Sequence, residues 1–136
     1  MAKEMSDFTP TLKSYNSLRE LLLDKDLASL GDSYVNFVYS LAMSQKYGHP
    51  TGAKVNNKVL SNAVEASGLR GFLPHRVDRD TRGDAAEALL VFAWLQSVLE
   101  MEDCIKVLSK EQNITEAFAV LLRKILDRLG AEHERE

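Results

Sequence analysis

The chain has 136 residues, 45% of them hydrophobic and 27% charged, with a formal net charge of −3. Those proportions fit one globular domain of ordinary size and exclude a disordered chain. The single cysteine, Cys104, excludes an internal disulfide framework and a cysteine-based zinc site. No apolar stretch reaches the ~18 residues read as a membrane span, and Met1 to Asp7 hold no apolar signal-peptide core, so a soluble cytoplasmic protein is expected.

Thr9-Pro10 reads as an N-cap and first helical residue. Leu12, Tyr15, Leu18, Leu22 and Leu23 then recur at helical spacing, which predicts a helix over about 10–23. Asp24 or Asp26 caps the next helix, expected to run to about Lys46, and Gly48 to Gly52 is a loop around Pro50. A third helix is predicted over about 54–66, with Val55, Val59, Leu60, Ala63 and Val64 as its stripe and Gly68 just past its end. Residues 71–77 are irregular around Pro74. A fourth helix starts near Asp80 or Thr81 and runs to about Leu99, and a short fifth covers about 102–110. Thr115 caps a sixth, with Phe118, Leu121, Leu122, Ile125, Leu126 and Leu129 on one stripe and Gly130 at its end. No segment alternates with period two. The expected fold is all-α, five to seven helices in a single domain spanning 1–136.

Charge is unevenly spread. Seven Lys/Arg face three Asp/Glu between Lys46 and Arg82, a local excess of +4, while the rest of the chain carries ten basic and seventeen acidic groups. A basic segment of this kind fits either an anionic partner or an ordinary solvated face.

Two segments are apolar nearly all round: Ser33 to Met43 and Ala85 to Leu99. A surface helix is apolar on one face only, so these are expected at the centre of the domain, packed together, or covered by a second subunit. Each carries carboxylates beside its apolar run. Asp32 precedes the first; Asp84 and Glu87, spaced i and i+3 on one helix face, open the second. Acidic residues favour first turns through the helix dipole, which accounts for Asp84 but poorly for Glu87, and Asp32 lies too far into its helix. Buried carboxylates are expensive unless paired or bound to metal. The alternative to a dipole effect is a divalent-metal site, in which the three charges repel without metal and raise at least one pKa.

Leu27-Ala28-Ser29-Leu30-Gly31-Asp32-Ser33-Tyr34-Val35 resembles the signature helix of the ribonuclease III family, and Gly83-Asp84-Ala85-Ala86-Glu87-Ala88-Leu89-Leu90 resembles its second acidic motif. Val59 to Ala66 is similar to the helix between them. The resemblance covers about Asp26 to Leu99 and is that of a catalytic-domain-only, Mini-ribonuclease III-like member with no double-stranded RNA-binding domain. It implies an all-α endonuclease domain acting as a homodimer on double-stranded or structured RNA, with Mg²⁺ (or Mn²⁺) held by Asp32, Asp84 and Glu87 as metal-binding catalytic residues. The signature helix then lies near the two-fold axis, with Tyr34, Phe37, Val38 and Leu41 as dimer contacts. Two positions depart from the larger enzymes, which carry acids where this chain has Lys25 and Ala28. The segment Glu100–Glu136 holds no matching motif.

Two divalent ions supply what phosphodiester hydrolysis needs: an activated water, a stabilised leaving oxygen and neutralised phosphate charge. Carboxylate oxygens suit Mg²⁺, which keeps several waters. Rival catalysts are missing. His49, His75 and His133 are scattered, Ser33 lacks a Gly-x-Ser-x-Gly elbow, and no Gly-rich loop exists to hold a nucleotide cofactor. Expected RNA contacts are Lys54, Lys58, Arg70, His75, Arg76, Arg79 and Arg82, suited to phosphates and 2′-hydroxyls across a shallow minor groove. The competing readings are a non-catalytic ribonuclease III-like RNA- or ribosome-binding module and a helical interaction protein.

Overall fold

The computed structural model describes residues 14–131. Among these residues are six α-helices and no strand: α1 (Leu18–Leu22), α2 (Lys25–Tyr47), α3 (Asn57–Ser67), α4 (Arg79–Leu95), α5 (Met101–Lys110) and α6 (Ile114–Leu129). A 3₁₀ turn, Leu69–Phe72, follows α3. The all-α class and the helix number agree with the sequence reading. No helix among the described residues is long and apolar enough to cross a membrane.

Short polar side chains set the helix starts by accepting backbone N–H groups that have no intrahelical partner. Asp24 caps α2 through Asp26 N–H (3.0 Å). Asn56 caps α3, Asp78 caps α4 and Asn113 caps α6. Three helices end on glycine in the left-handed region: Gly48, Gly68 and Gly130.

The caps correct several expected boundaries. The last helix starts at Ile114 because Asn113, not Thr115, holds the Glu116 N–H (3.1 Å). The fourth starts at Arg79, with Thr81 N–H bonded to Asp78 (2.8 Å), and it stops at Leu95, not Leu99. There Ser97 turns left-handed (φ 59°) and Val98 N–H reaches back to Ala93 carbonyl (2.7 Å). Ser17 starts α1 only at Leu18. Tyr15 leaves the helical path to donate to Asp24 (2.7 Å) and to meet the Phe92 ring edge-on. Thr9 and Pro10 lie outside the described residues.

The third helix starts at Asn57, three residues later than expected, because residues 51–55 run extended along α2. A polar stripe at i, i+4 and i+8 on α2 holds them there. Asn36 accepts Val55 N–H (2.8 Å), Ser40 accepts Ala53 N–H (2.8 Å), and Ser44 accepts Thr51 N–H (2.9 Å).

Helix α4 is the central post. Gly83, Ala85 to Val91 and Ala93 are buried, and α1, α2, α3 and α6 all pack on it, α2 most extensively. The two apolar segments are thus in contact, as expected. Helix α6 supplies Phe118, Leu121, Leu122 and Ile125 to the core, so the motif-less last third is part of the fold. Cys104 is buried, its thiol pushed up to about 12 by that burial, and inert.

Helix α2 differs from α4 in being covered on one side only. Tyr34 is buried and stacks on Trp94 (5.0 Å, 19°), and Val38 is buried too. Both are among the expected dimer contacts, and within the single chain its own core already covers them. Leu41 is half-buried. The exposed apolar residues of α2 are Leu30 (49%), Phe37 (56%) and Tyr47 (61%).

Candidate active site

The close approach of α2 and α4 creates the site. A Cβ placed on Gly31 would stand 2.1 Å from the Glu87 carbonyl oxygen, so the two backbones touch where only glycine fits. Asp32, one residue on, is thereby brought beside Glu87. Both line an open cleft of about 680 Å³ together with Asp84, Asp80, Lys25, Ala28, Lys54 and Asn57. The three carboxylates named from sequence therefore share one cavity.

Their environments differ. Glu87 is buried (8% exposed), Asp84 is half-buried and Asp32 is exposed. Burial pushes the Glu87 carboxyl up to about 8; a hydrogen bond with Asp32 and the charges of Asp32 and Asp84 add to this, and Lys54 opposes it. Glu87 therefore ionises much less readily than an ordinary carboxyl. Asn36 donates to the other side of Asp32 (3.0 Å) while accepting Val55 N–H, so the extended segment and the carboxylate are fixed by one side chain. Asp84 pairs with Lys25 Nζ at 2.9 Å.

Hard oxygen donors on two rigid helices fit a divalent cation in chemistry. Glu87, crowded against like charge, is the group whose repulsion such an ion relieves. Among the described residues no three His, Cys, Asp or Glu side chains already stand at ligating positions. Asp84 is turned to Lys25, which makes ligation by all three carboxylates depend on breaking that ion pair.

The basic residues divide. Arg82 donates to Ser61 (2.9 Å) and to Val77 carbonyl (2.8 Å), and Arg70 donates to the carbonyls of Pro74 (2.8 Å) and His75. Both also approach Glu65 of α3. These two arginines, both among the expected RNA contacts, brace the loop before α4. Lys54 lines the cleft, and Lys58, His75, Arg76 and Arg79 are exposed.

Sequence reasoning missed three polar cleft residues, Lys25, Asp80 and Asn57, and also Asn36, which holds Asp32. Lys25 stood out only as a missing acid, yet it is the partner of Asp84. Asp80 accepts from Asn57 (2.7 Å), and Asn57 presses on Gly83, where a Cβ would meet its Oδ1 at 2.0 Å. Asn36 was discoverable, since it lies one turn after Asp32 and opens the Asn36–Ser40–Ser44 stripe. His133 lies outside the described residues.

No curated protein matches the chain. The family model described as Ribonuclease III matches residues 25–131, from the first residue of α2 to the turn after α6. It takes in both carboxylate helices and the C-terminal helix that carried no recognisable motif. The chain belongs to the Ribonuclease III family.

Proposed function

We propose that the protein is a metal-dependent endoribonuclease that hydrolyses phosphodiester bonds in double-stranded or structured RNA, with Mg²⁺ or Mn²⁺ as cofactor. The observation that supports this best is the Asp32–Glu87 juxtaposition. Helix packing and capping have no use for a buried Glu87 against a second carboxylate, an arrangement that disfavours ionising Glu87 and that a divalent cation would relieve.

Asp32, Asp84 and Glu87 would hold the ion, which supplies an activated water and neutralises phosphate charge when bound. Asn36 orients Asp32 for that task, and the α2–α4 contact keeps Glu87 in place without help from any loop. Lys54 offers a positive charge to a phosphate at the cleft, and Lys58, His75, Arg76 and Arg79 extend that charge outward. In the reaction a water oxygen bonds to phosphorus, one P–O ester bond breaks, and the leaving oxygen takes up a proton. The protein acts as a homodimer in this reading, through the Leu30–Phe37–Leu41 face of α2, where spacing i, i+7 and i+11 keeps the three residues together. Light scattering reports a dimer for the wild type and a monomer for Phe37→Glu.

Incubating a plain RNA duplex with and without Mg²⁺ is the test: cutting only with Mg²⁺ is expected. One observation favours a second reading, a non-catalytic RNA- or ribosome-binding module: Asp84 is neutralised by Lys25, and Ala28 adds no carboxylate to the cleft. Duplex retained in a gel shift but left intact with Mg²⁺ and with Mn²⁺ would put that reading first.

A further inference from the structure

We infer that Lys25 is a resident cation of this cleft, one that neutralises Asp84 and limits the site to one divalent ion per chain. The inference rests on the metal-dependent reading above.

Lys25 is the first residue of α2, at the positive end of the helix dipole, where a cation is disfavoured. Helix formation therefore gives no reason for a lysine there. Its side chain instead reaches across to α4 and stands 2.9 Å from Asp84 Oδ2, a contact between positions 59 residues apart. Lys25, Ala28 and Asp32, spaced i, i+3 and i+7, form one wall of the cleft, so this wall offers an ammonium, a methyl group and a single carboxylate. The opposite wall brings Asp84 and Glu87, with Asp80 occupied by Asn57.

The formal charges agree with one ion. With all four carboxylates ionised, Asp32, Asp80, Asp84 and Glu87 against Lys25 and Lys54 leave −2 in the cleft, which one divalent ion balances and two would exceed. The Lys25 side chain is 68% exposed and that of Asp84 is 34% exposed, so the ion pair is accessible to solvent and exchangeable. An ion that recruits Asp84 must compete with an ammonium already delivered by the fold.

The test is Mn²⁺ titration of the full chain, with free Mn²⁺ followed by electron paramagnetic resonance, in the wild type and in Lys25→Met, Lys25→Glu and Lys25→Arg. Lys25 is exposed, so all four proteins should fold, and matching circular-dichroism melts without metal verify this. The wild type and Lys25→Arg are expected to bind one Mn²⁺ per chain. Lys25→Met should bind it about tenfold more tightly, because one repelling unit charge is gone. Lys25→Glu should take two. Two ions on the wild type, or equal affinity and stoichiometry in all four proteins, overturn the inference, and duplex cleavage by the wild type alongside such a result leaves the nuclease reading standing. A wild type that binds no Mn²⁺ beside a Lys25→Met that binds one overturns the one-ion inference, and the nuclease reading with it. No binding by any of the four overturns both.

Discussion

The carboxylates of the α2–α4 contact and the arginines of the basic segment stand out equally as charge patterns, but the fold uses them differently. Glu87 is buried beside another acid at a cost to its ionised form, whereas Arg70 and Arg82 each reach two hydrogen-bond acceptors and tie a loop to α3. An arginine has five donors and a long apolar stem, so a structural use for it is easily found. A carboxylate pressed against a carboxylate has almost none. The sign of the charge thus decides how much a cluster says about chemistry.

The sharpest way to break this contrast is Glu87→Gln, which keeps the shape and removes the charge. Cleavage assays with Mg²⁺ should show a loss of at least about 100-fold, with the fold and most RNA affinity retained. Wild-type cleavage by this variant removes Glu87 from the chemistry.

Gly31→Ala comes next. Its methyl group would stand 2.1 Å from the Glu87 carbonyl oxygen, so the helices must separate. A destabilisation of about 3 kcal/mol, the upper end of ordinary overpacking, is expected in urea unfolding. A loss below about 0.5 kcal/mol would show that the helix contact is looser than described.

The pH dependence of stability tests the burial of Glu87 itself. Its carboxyl, ordinarily near 4.5, is raised to about 8 in the folded chain. Between those values the folded state holds a proton that the unfolded state has released, so this contribution is full below 4.5 and is lost as pH rises toward 8. From pH 6 to 8 the metal-free protein should lose on the order of 2 kcal/mol on this account, and Glu87→Gln should lose much less. Divalent metal favours the ionised form and should release a proton on binding.

The smallest effects separate the two sets of basic residues. Arg82→Ala should destabilise by about 1–2 kcal/mol through its lost bonds to Ser61 and Val77. Arg76→Ala and Arg79→Ala should change stability by less than about 0.5 kcal/mol yet weaken duplex binding, each lowering the salt slope by about 1. Equal RNA effects from Arg82 and Arg76 would erase the distinction between braces and contacts.

Much of this molecule is legible from its residues, for reasons that can be named. Asp24 starts a helix, and Gly48, Gly68 and Gly130 end helices, about where expected because capping and left-handed turns depend on local chemistry. The central place of α4 follows from apolar residues all round a helix. The extended course of Lys54 to Asn56 is not legible, since Val55 continues a helical stripe and only tertiary bonds from Asn36 and Ser40 pull the chain straight. That misread segment is what carries Lys54 into the cleft. Lys25 was invisible as a site residue because its partner is 59 positions away. Tyr34 and Val38 show the remaining difficulty: a helix rich in apolar residues does not reveal which of its faces its own chain will cover.

Gly31 has a consequence for how such a chain can change over time. The spacing of Asp32 and Glu87 is set by two backbones in contact, not by side chains that could repack. Any larger residue at position 31 would force the two helices apart, separating the acids and destabilising the fold at the same time. The packing of the helices and the geometry of the site therefore both hold this glycine, and neither has a substitute for it.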